Sequence, residues 1–338
     1  MKRLGLIPAL FLSTAALADV PAVVTDITPV HGLVSMVMGD LGTPTLLVDP
    51  GASPHGYALR PSQAAALQQA DAVFWIGHEL APWLEGPLDQ LASRAVVEEL
   101  LQVEGTVLHD FREEAVFAPA LHENHDDHDD HDDHDDHDDH DDTHSGADDH
   151  DEAEHGHESE HDHDHTGIDP HAWLDPANAR IWLAAIAETL SRLDPENASI
   201  YQANAAIAEA EIIAVSGELS IALEPVSNRS FVTFHDAFQY FEYRYELTNA
   251  GAISMSDASS PSAARIAEIR DAVAERGVVC IFSEPQFNPG LVATVADGAD
   301  LATGIIDPLG TGLEPGATFY PALIRSIASS VEACLSTP

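Results

Sequence analysis

A single lysine, Lys2, stands in a chain of 338 residues, and the positive complement totals only 13 against 58 Asp and Glu. The formal charge is 13 − 58 = −45. A surface of that sign repels nucleic acid and anionic lipid, so no nucleic-acid partner is expected. Long apolar runs are also missing. The run from Leu4 to Leu12 falls well short of the roughly 20 residues a membrane span needs, and no later stretch is longer. No direct membrane insertion is therefore expected. Cysteine occurs twice, as Cys280 and Cys334. His-Glu-x-x-His, the helical zinc-hydrolase motif, does not occur.

The first residues read as an export signal. Lys2 and Arg3 precede the apolar run, and Ala16-Leu17-Ala18 gives the small-x-small pattern of a cleavage site. Cleavage is expected after Ala18, with the mature chain exported. No cysteine lies near the cut, which argues against a lipid anchor there. In an oxidising compartment an even pair of cysteines suggests one Cys280–Cys334 disulfide; two buried thiols are the alternative.

Acid and histidine are concentrated in one place. Residues 122–165 hold 22 Asp and Glu and 14 of the 20 histidines, with no Lys or Arg. His-Asp-Asp repeats with period three through His125, His128, His131, His134, His137 and His140. His150, His155, His157, His161, His163 and His165 follow. That period suits neither helix nor strand, and like charges repel, so a disordered loop is expected. Imidazoles at this density are expected to form auxiliary, weak sites for divalent metals. A purely solvating acidic loop would have no need of them.

The rest of the chain alternates strand and helix, twice. Strands are predicted at 22–28, 45–49, 72–76 and 106–109, with helices at 31–39, 62–70 and 79–92 between them. Asp175-Pro176 and Asp194-Pro195 each read as an N-cap followed by proline at the first helical position. The second is expected to open a long alanine-rich helix running to about Leu223. Beyond it, strands are predicted at 230–234, 249–254, 278–283 and 301–306, and helices at 236–245, 262–276, 289–298 and 319–335. The reading is an α/β protein of two lobes with mostly parallel sheets, joined by a long linker helix. Its expected parts are a signal peptide (1–18), an N-terminal lobe (19–194) carrying the loop 122–165, a linker helix (195–224) and a C-terminal lobe (225–338).

Six histidines lie outside the tract: His31, His55, His78, His109, His171 and His235. His55 follows the second strand, His235 follows the first strand of the second lobe, and Asp307 ends that lobe's last strand. Ligands of parallel sheets gather at these carboxyl ends. His171 sits in the turn before the helix capped by Asp175. Each could be structural when taken alone; together they form a constellation drawn from both lobes.

These residues occur within Gly51-Ala52-Ser53-Pro54-His55, Asp169-Pro170-His171-Ala172-Trp173-Leu174-Asp175-Pro176, Phe234-His235-Asp236-Ala237, Ser283-Glu284-Pro285-Gln286-Phe287 and Asp307-Pro308-Leu309-Gly310. In that order the set resembles the ZnuA-type periplasmic zinc-binding components of bacterial ABC importers, which are metal-specific solute-binding proteins with a rigid helical linker. The resemblance implies that His55, His171 and His235 bind Zn2+ in the interlobe cleft. It also implies a membrane permease as partner, a monomeric binding protein, and no enzymatic activity. Some members place a glutamate directly before the first histidine, where this chain has Pro54. The fourth ligand is then expected to be Asp307, with water as the alternative; His31 could also face the cleft. Three imidazoles suit zinc better than manganese, which prefers oxygen donors. A manganese- or iron-binding member of the same family, or a secreted zinc hydrolase, are the competing readings. Glu284 and Asp236 could serve a hydrolase as bases, but read better as groups behind the ligands or as caps.

Overall fold

A computed structural model of the protein describes residues 20–112, 114, 116–117, 167–254, 261–297, 299 and 301–337. The expected signal segment and the histidine-rich tract lie outside the described residues. The first lobe is built on β1 (Val23–Thr25), β2 (Thr45–Leu46), β3 (Ala72–Trp75) and β4 (Val96–Glu99), ordered β2-β1-β3-β4. The second uses β5 (Ser230–His235), β6 (Thr248–Ser254), β7 (Cys280–Ser283) and β8 (Ala302–Ile305), ordered β6-β5-β7-β8. All these pairs are parallel. The central strands β3 and β5 are buried along their whole length, and Ala72–Trp75 accordingly reads as an apolar run rather than an alternating pattern.

Helices cover both faces. In the first lobe they are α1 (Thr28–Met38), α2 (Pro61–Gln69), α3 (Pro82–Leu91) and α4 (Pro176–Leu193). The second carries α6 (Gln239–Tyr245), α7 (Ala263–Glu275), α8 (Pro289–Ala296) and α9 (Phe319–Leu335). Between the lobes runs α5 (Ala198–Leu223), 26 residues and about 39 Å long. Its buried positions are Tyr201, Ala205, Ala208, Ile212, Val215, Leu219 and Leu223. Steps of three and four place them on one face, which packs against α1, α4 and α9. One apolar cluster therefore contains Val34 of α1, Ile212 of α5 and Ile327 of α9. At Gly32 of α1 an added Cβ would come within 3.2 Å of Phe319, so α1 and α9 touch almost backbone to backbone. Separate apolar clusters lie under α2 and α3 and under α7 and α8. Cys280 of β7 and Cys334 of α9 form a disulfide, 6.0 Å between Cα atoms.

Two sequence expectations need correction. The fourth strand is Val96–Glu99, while the expected strand at 106–109 is an irregular segment outside the sheet, whose Val107 is held by Asn178 of α4. Val96 and Val97 are partly exposed on an edge strand, so the apolar signal was diluted by Glu98 and Glu99. Asp194 does not open the linker helix. Its backbone N–H closes α4 on Leu190, and its side chain accepts from Asn197 and from the Tyr201 hydroxyl (3.0 Å), so α5 begins at Ala198. Asp175 does cap α4, accepting from Ala177 N at 2.8 Å with Pro176 first in the helix.

Candidate metal centre

Two loops and the end of a strand carry the histidines to one place. The His55 loop leaves the end of β2 and is braced by Trp83, whose indole N–H donates to Pro54 O at 2.7 Å. Tyr57 and Arg60 in the same loop both bond to Asp49, and Gln63 Nε2 donates to Leu47 O, so the backbone around His55 is fixed from both sides. His171 sits in the tight turn before α4. The next aromatic, Trp173, donates its indole N–H to Pro308 O of the second lobe (2.8 Å), and Tyr320 of α9 donates to Trp173 O. His235 is the last residue of β5.

The rings adjoin one another. His55 and His171 lie 5.6 Å apart between ring centroids, and His171 and His235 lie 5.4 Å apart. Two imidazoles on one tetrahedral zinc, with Zn–N of about 2.0–2.1 Å, would place their centroids about 5 Å apart. The arrangement thus needs only a small inward movement to grip one ion. Among the described residues no three His, Cys, Asp or Glu side chains already form a closed ligand cage. All three histidines line a single cleft of about 280 Å3, whose apolar walls are Trp173, Phe287, Pro308 and Leu309.

Two of the three rings are held from behind by buried carboxylates. His171 Nδ1 lies 2.7 Å from Asp169 Oδ1, which also accepts from the His171 backbone N–H. His235 Nδ1 lies 2.7 Å from Glu284 Oε1, which accepts from the His235 backbone N–H in the same way. This pairing fixes ring orientation and turns the Nε2 edge away from the carboxylate, an arrangement typical of metal-binding histidines. Burial pushes the Asp169 carboxyl up to about 7, against the lowering effect of the His171 backbone N–H. Burial also raises Glu284, opposed by His235. Glu284 Oε2 and Gln286 Oε1, on residues lining the cleft, are buried acceptors with no hydrogen-bond partner among the described residues. A cation, or the O–H of a water bound to one, would satisfy such acceptors.

The remaining candidates separate cleanly. His31 is buried elsewhere: Nε2 lies 3.2 Å from Pro44 O and Nδ1 is 3.4 Å from the Ser35 hydroxyl, and it does not line the cleft. Asp307 itself does not line the cleft, although its chain neighbours Pro308 and Leu309 do. Its Oδ1 accepts from Gln286 Nε2 (2.9 Å) and Leu309 N (3.0 Å), and its Oδ2 from Thr311 N (2.6 Å). Gly310 makes that turn possible at φ +63°, where an added Cβ would also strike the Phe319 ring. His78 is exposed and pairs with Glu85, and His109 stacks between Tyr240 and Tyr243. Sequence reasoning set Glu284 behind the ligands and missed the same role in Asp169. The available signal was a carboxylate two residues before His171. Asp236, expected like Glu284 behind the ligands or as a cap, directly follows His235 and pairs with Arg112.

Two parallel α/β lobes that share a core and bring three adjoining imidazoles into one cleft define a two-lobed binding protein for a metal ion. Comparison with known proteins places the chain within that class. Residues 23–334 match the description "zinc-uptake complex component A, periplasmic". The chain belongs to this ZnuA family. It is 50% identical to the high-affinity zinc uptake system protein ZnuA of Paracoccus denitrificans over 335 residues, covering 98% of each chain. It is 43% identical to the Brucella suis protein of the same name, covering 97% of this chain and 98% of that one. A crystal structure of ZnuA shares the fold at a TM-score of 0.68 and 22% identity, over 93% of this chain and all of that one. A laminin-binding adhesin of Streptococcus agalactiae has the same fold at a TM-score of 0.68 and 22% identity, over 92% of this chain and 99% of that one.

Proposed function

We propose that the protein captures Zn2+ in the interlobe cleft on His55, His171 and His235 and delivers it to the membrane permease of an ABC zinc importer. The observation that carries this reading is the pair of imidazoles whose Nδ1 atoms are bound by buried carboxylates at 2.7 Å, beside a third imidazole in the same cleft. Neutral nitrogen donors suit zinc, and oxygen-preferring manganese would be poorly served by them. Asp307 supplies the fourth donor. Gln286 and the backbone N–H groups of Leu309 and Thr311 hold its carboxylate, as ligating carboxylates are usually held. The membership in a zinc-uptake family and the relatives named zinc uptake proteins support the same cargo.

The chain acts in the periplasm as a monomer after cleavage behind Ala18. No helix among the described residues is long and apolar enough to cross a membrane. Binding and release are its whole task; the cleft has no covalent chemistry to perform. The histidine-rich tract adds weak, exchangeable sites that fill after the cleft. Metal analysis of the protein as purified, followed by chelation and competitive titration with Zn2+ and Mn2+, tests the reading. One tight equivalent of zinc, preferred over manganese, is expected. Equal or tighter manganese binding would overturn it.

A further inference from the structure

Besides α5, a second piece of chain ties the lobes together. Residues 107–112, 114 and 116–117 form a strap that starts on the first lobe, where Val107 N donates to Asn178 Oδ1 (2.7 Å) and Asn178 Nδ2 donates back to Val107 O (3.0 Å). They end on the second lobe. Val116 forms an antiparallel bridge with Gly251 on the edge strand β6, and Phe117 N donates to Ala250 O at 3.0 Å. Midway, this strap pairs with the segment that leads into His171. Asp110 bridges Ile168, Phe111 N donates to Gly167 O (2.9 Å), and Asp169 N donates to His109 O (2.8 Å). The Tyr240 hydroxyl of α6 locks the crossing: it donates to Asp169 O at 2.8 Å and accepts from His109 N at 3.0 Å.

Arg112 is the charged centre of the strap. Its Nε donates to Asp236 Oδ2 at 3.0 Å, its Nη2 donates to Asp236 Oδ1, and its Nη1 donates to Glu242 Oε2 at 2.7 Å. The guanidinium also lies 3.6 Å from the Phe117 ring centroid. Asp236 is 1% exposed and directly follows His235 in the chain. Two buried carboxylates on one planar fork make a geometrically strict contact that a lysine could not reproduce. Through the strap the same arginine is three residues from His109, whose carbonyl holds Asp169, the carboxylate behind His171.

We propose that Arg112 is a positioning residue for the cleft, clamping the His235–Asp236 corner of the second lobe to the strap that pairs with the segment carrying Asp169 and His171. It touches no metal. It sets the distance between two ligands that come from different lobes, and it is the salt-bridged link between the strap and the second lobe. This inference rests on the three-histidine site.

The test compares Arg112→Gln, Arg112→Lys and a control, Arg325→Gln, which breaks the exposed Arg325–Glu218 pair. Zinc affinity is measured by chelator competition, and ligand geometry by the visible absorption of the Co2+ protein. Arg112→Gln is expected to weaken zinc about ten-fold or more, as loss of groups that orient ligands does, and to alter the cobalt spectrum. Arg112→Lys keeps the charge and should recover part of the affinity; Arg325→Gln should match the parent. If Arg112→Gln does not fold, Arg112→Met with Asp236→Asn and Glu242→Gln removes the buried acids together with their cation, and the same loss is expected. Parent affinity and parent cobalt spectrum in a folded Arg112 variant would overturn the proposal. Failure of the site itself would show differently, as full zinc affinity in His171→Ala.

Discussion

The carboxylates behind His171 and His235 make the outcomes of single substitutions specific. Replacing His55, His171 or His235 with Ala should each abolish the tight zinc site in a competitive titration, while His78→Ala, on an exposed ring paired to Glu85, should leave it intact. Asp169→Asn and Glu284→Gln should weaken zinc by about 10–100-fold, because the ring loses the partner that orients it. Asp307→Ala should cost less than any of the histidine changes, since water can take the vacated position. Zinc must displace protons from imidazoles, whose ordinary pKa is about 6.5. Affinity should therefore fall by more than one decade per pH unit below that value; a flat profile between pH 7 and 5 would point to carboxylate ligation. Stability of the metal-free protein should run the other way. Asp26, fully buried at the end of β1 and bonded to Ile27 N and Ile76 N, is pushed up to about 7 by burial. It stays protonated in the fold over a range where the unfolded chain ionises. Its contribution is present below about pH 4 and is lost as pH rises through about 7. Calorimetry should show that Asp26→Asn flattens the decline of apo melting temperature between pH 4 and 7; an unchanged slope would remove Asp26 as its cause.

The helices and strands were legible in the sequence where burial was two-sided or caps were explicit. β3 stands out as a continuous apolar run, the pattern for α9 gives both of its ends, and the Asp175-Pro176 start of α4 is marked by its cap alone. β4 was missed because an edge strand with two glutamates carries little pattern, and its place was given to the irregular segment at 106–109. The start of α5 was misread because Asp194 spends its side chain on Asn197 and Tyr201 in a turn. That His55, His171 and His235 meet in one cleft is readable from their addresses in the alternating pattern and their neighbouring motifs. Arg112 is not, since its partners lie 124 and 130 residues away in the chain. The disulfide was legible from the cysteine count and the export signal together. It joins β7 to α9 across a separation of 54 residues, and chain-entropy arithmetic gives it roughly 4 kcal/mol. Reduction should lower the apo melting temperature and spare zinc affinity, because neither cysteine lines the cleft. Loss of zinc on reduction, without unfolding, would mean that α9 positions the site more directly than its packing indicates.

Two lobes with the same strand order share a single apolar core through α1, α5 and α9, and the strap ties them a second time. A wide hinge opening would have to break that core, so metal entry and release should proceed through small tilts and loop shifts. Fluorescence or scattering measurements on apo and zinc-loaded protein should show little change in overall dimensions; a change of several ångströms in radius would contradict the shared core. The histidine-rich tract falls outside this frame and carries none of the described core. Its ligands would have to be gathered at about 1–2 kcal/mol of backbone entropy per fixed residue, whereas the cleft histidines are already in place. The most direct measurement is a calorimetric and chelator-competition zinc titration of the chain lacking residues 123–165, alone and with His55, His171 and His235 all replaced by Ala. The deletion protein should retain one tight zinc and lose the weaker extra equivalents, and the triple replacement should then bind none tightly. Loss of the tight equivalent on deletion, or its survival without the three histidines, would contradict the cleft as the site of zinc capture.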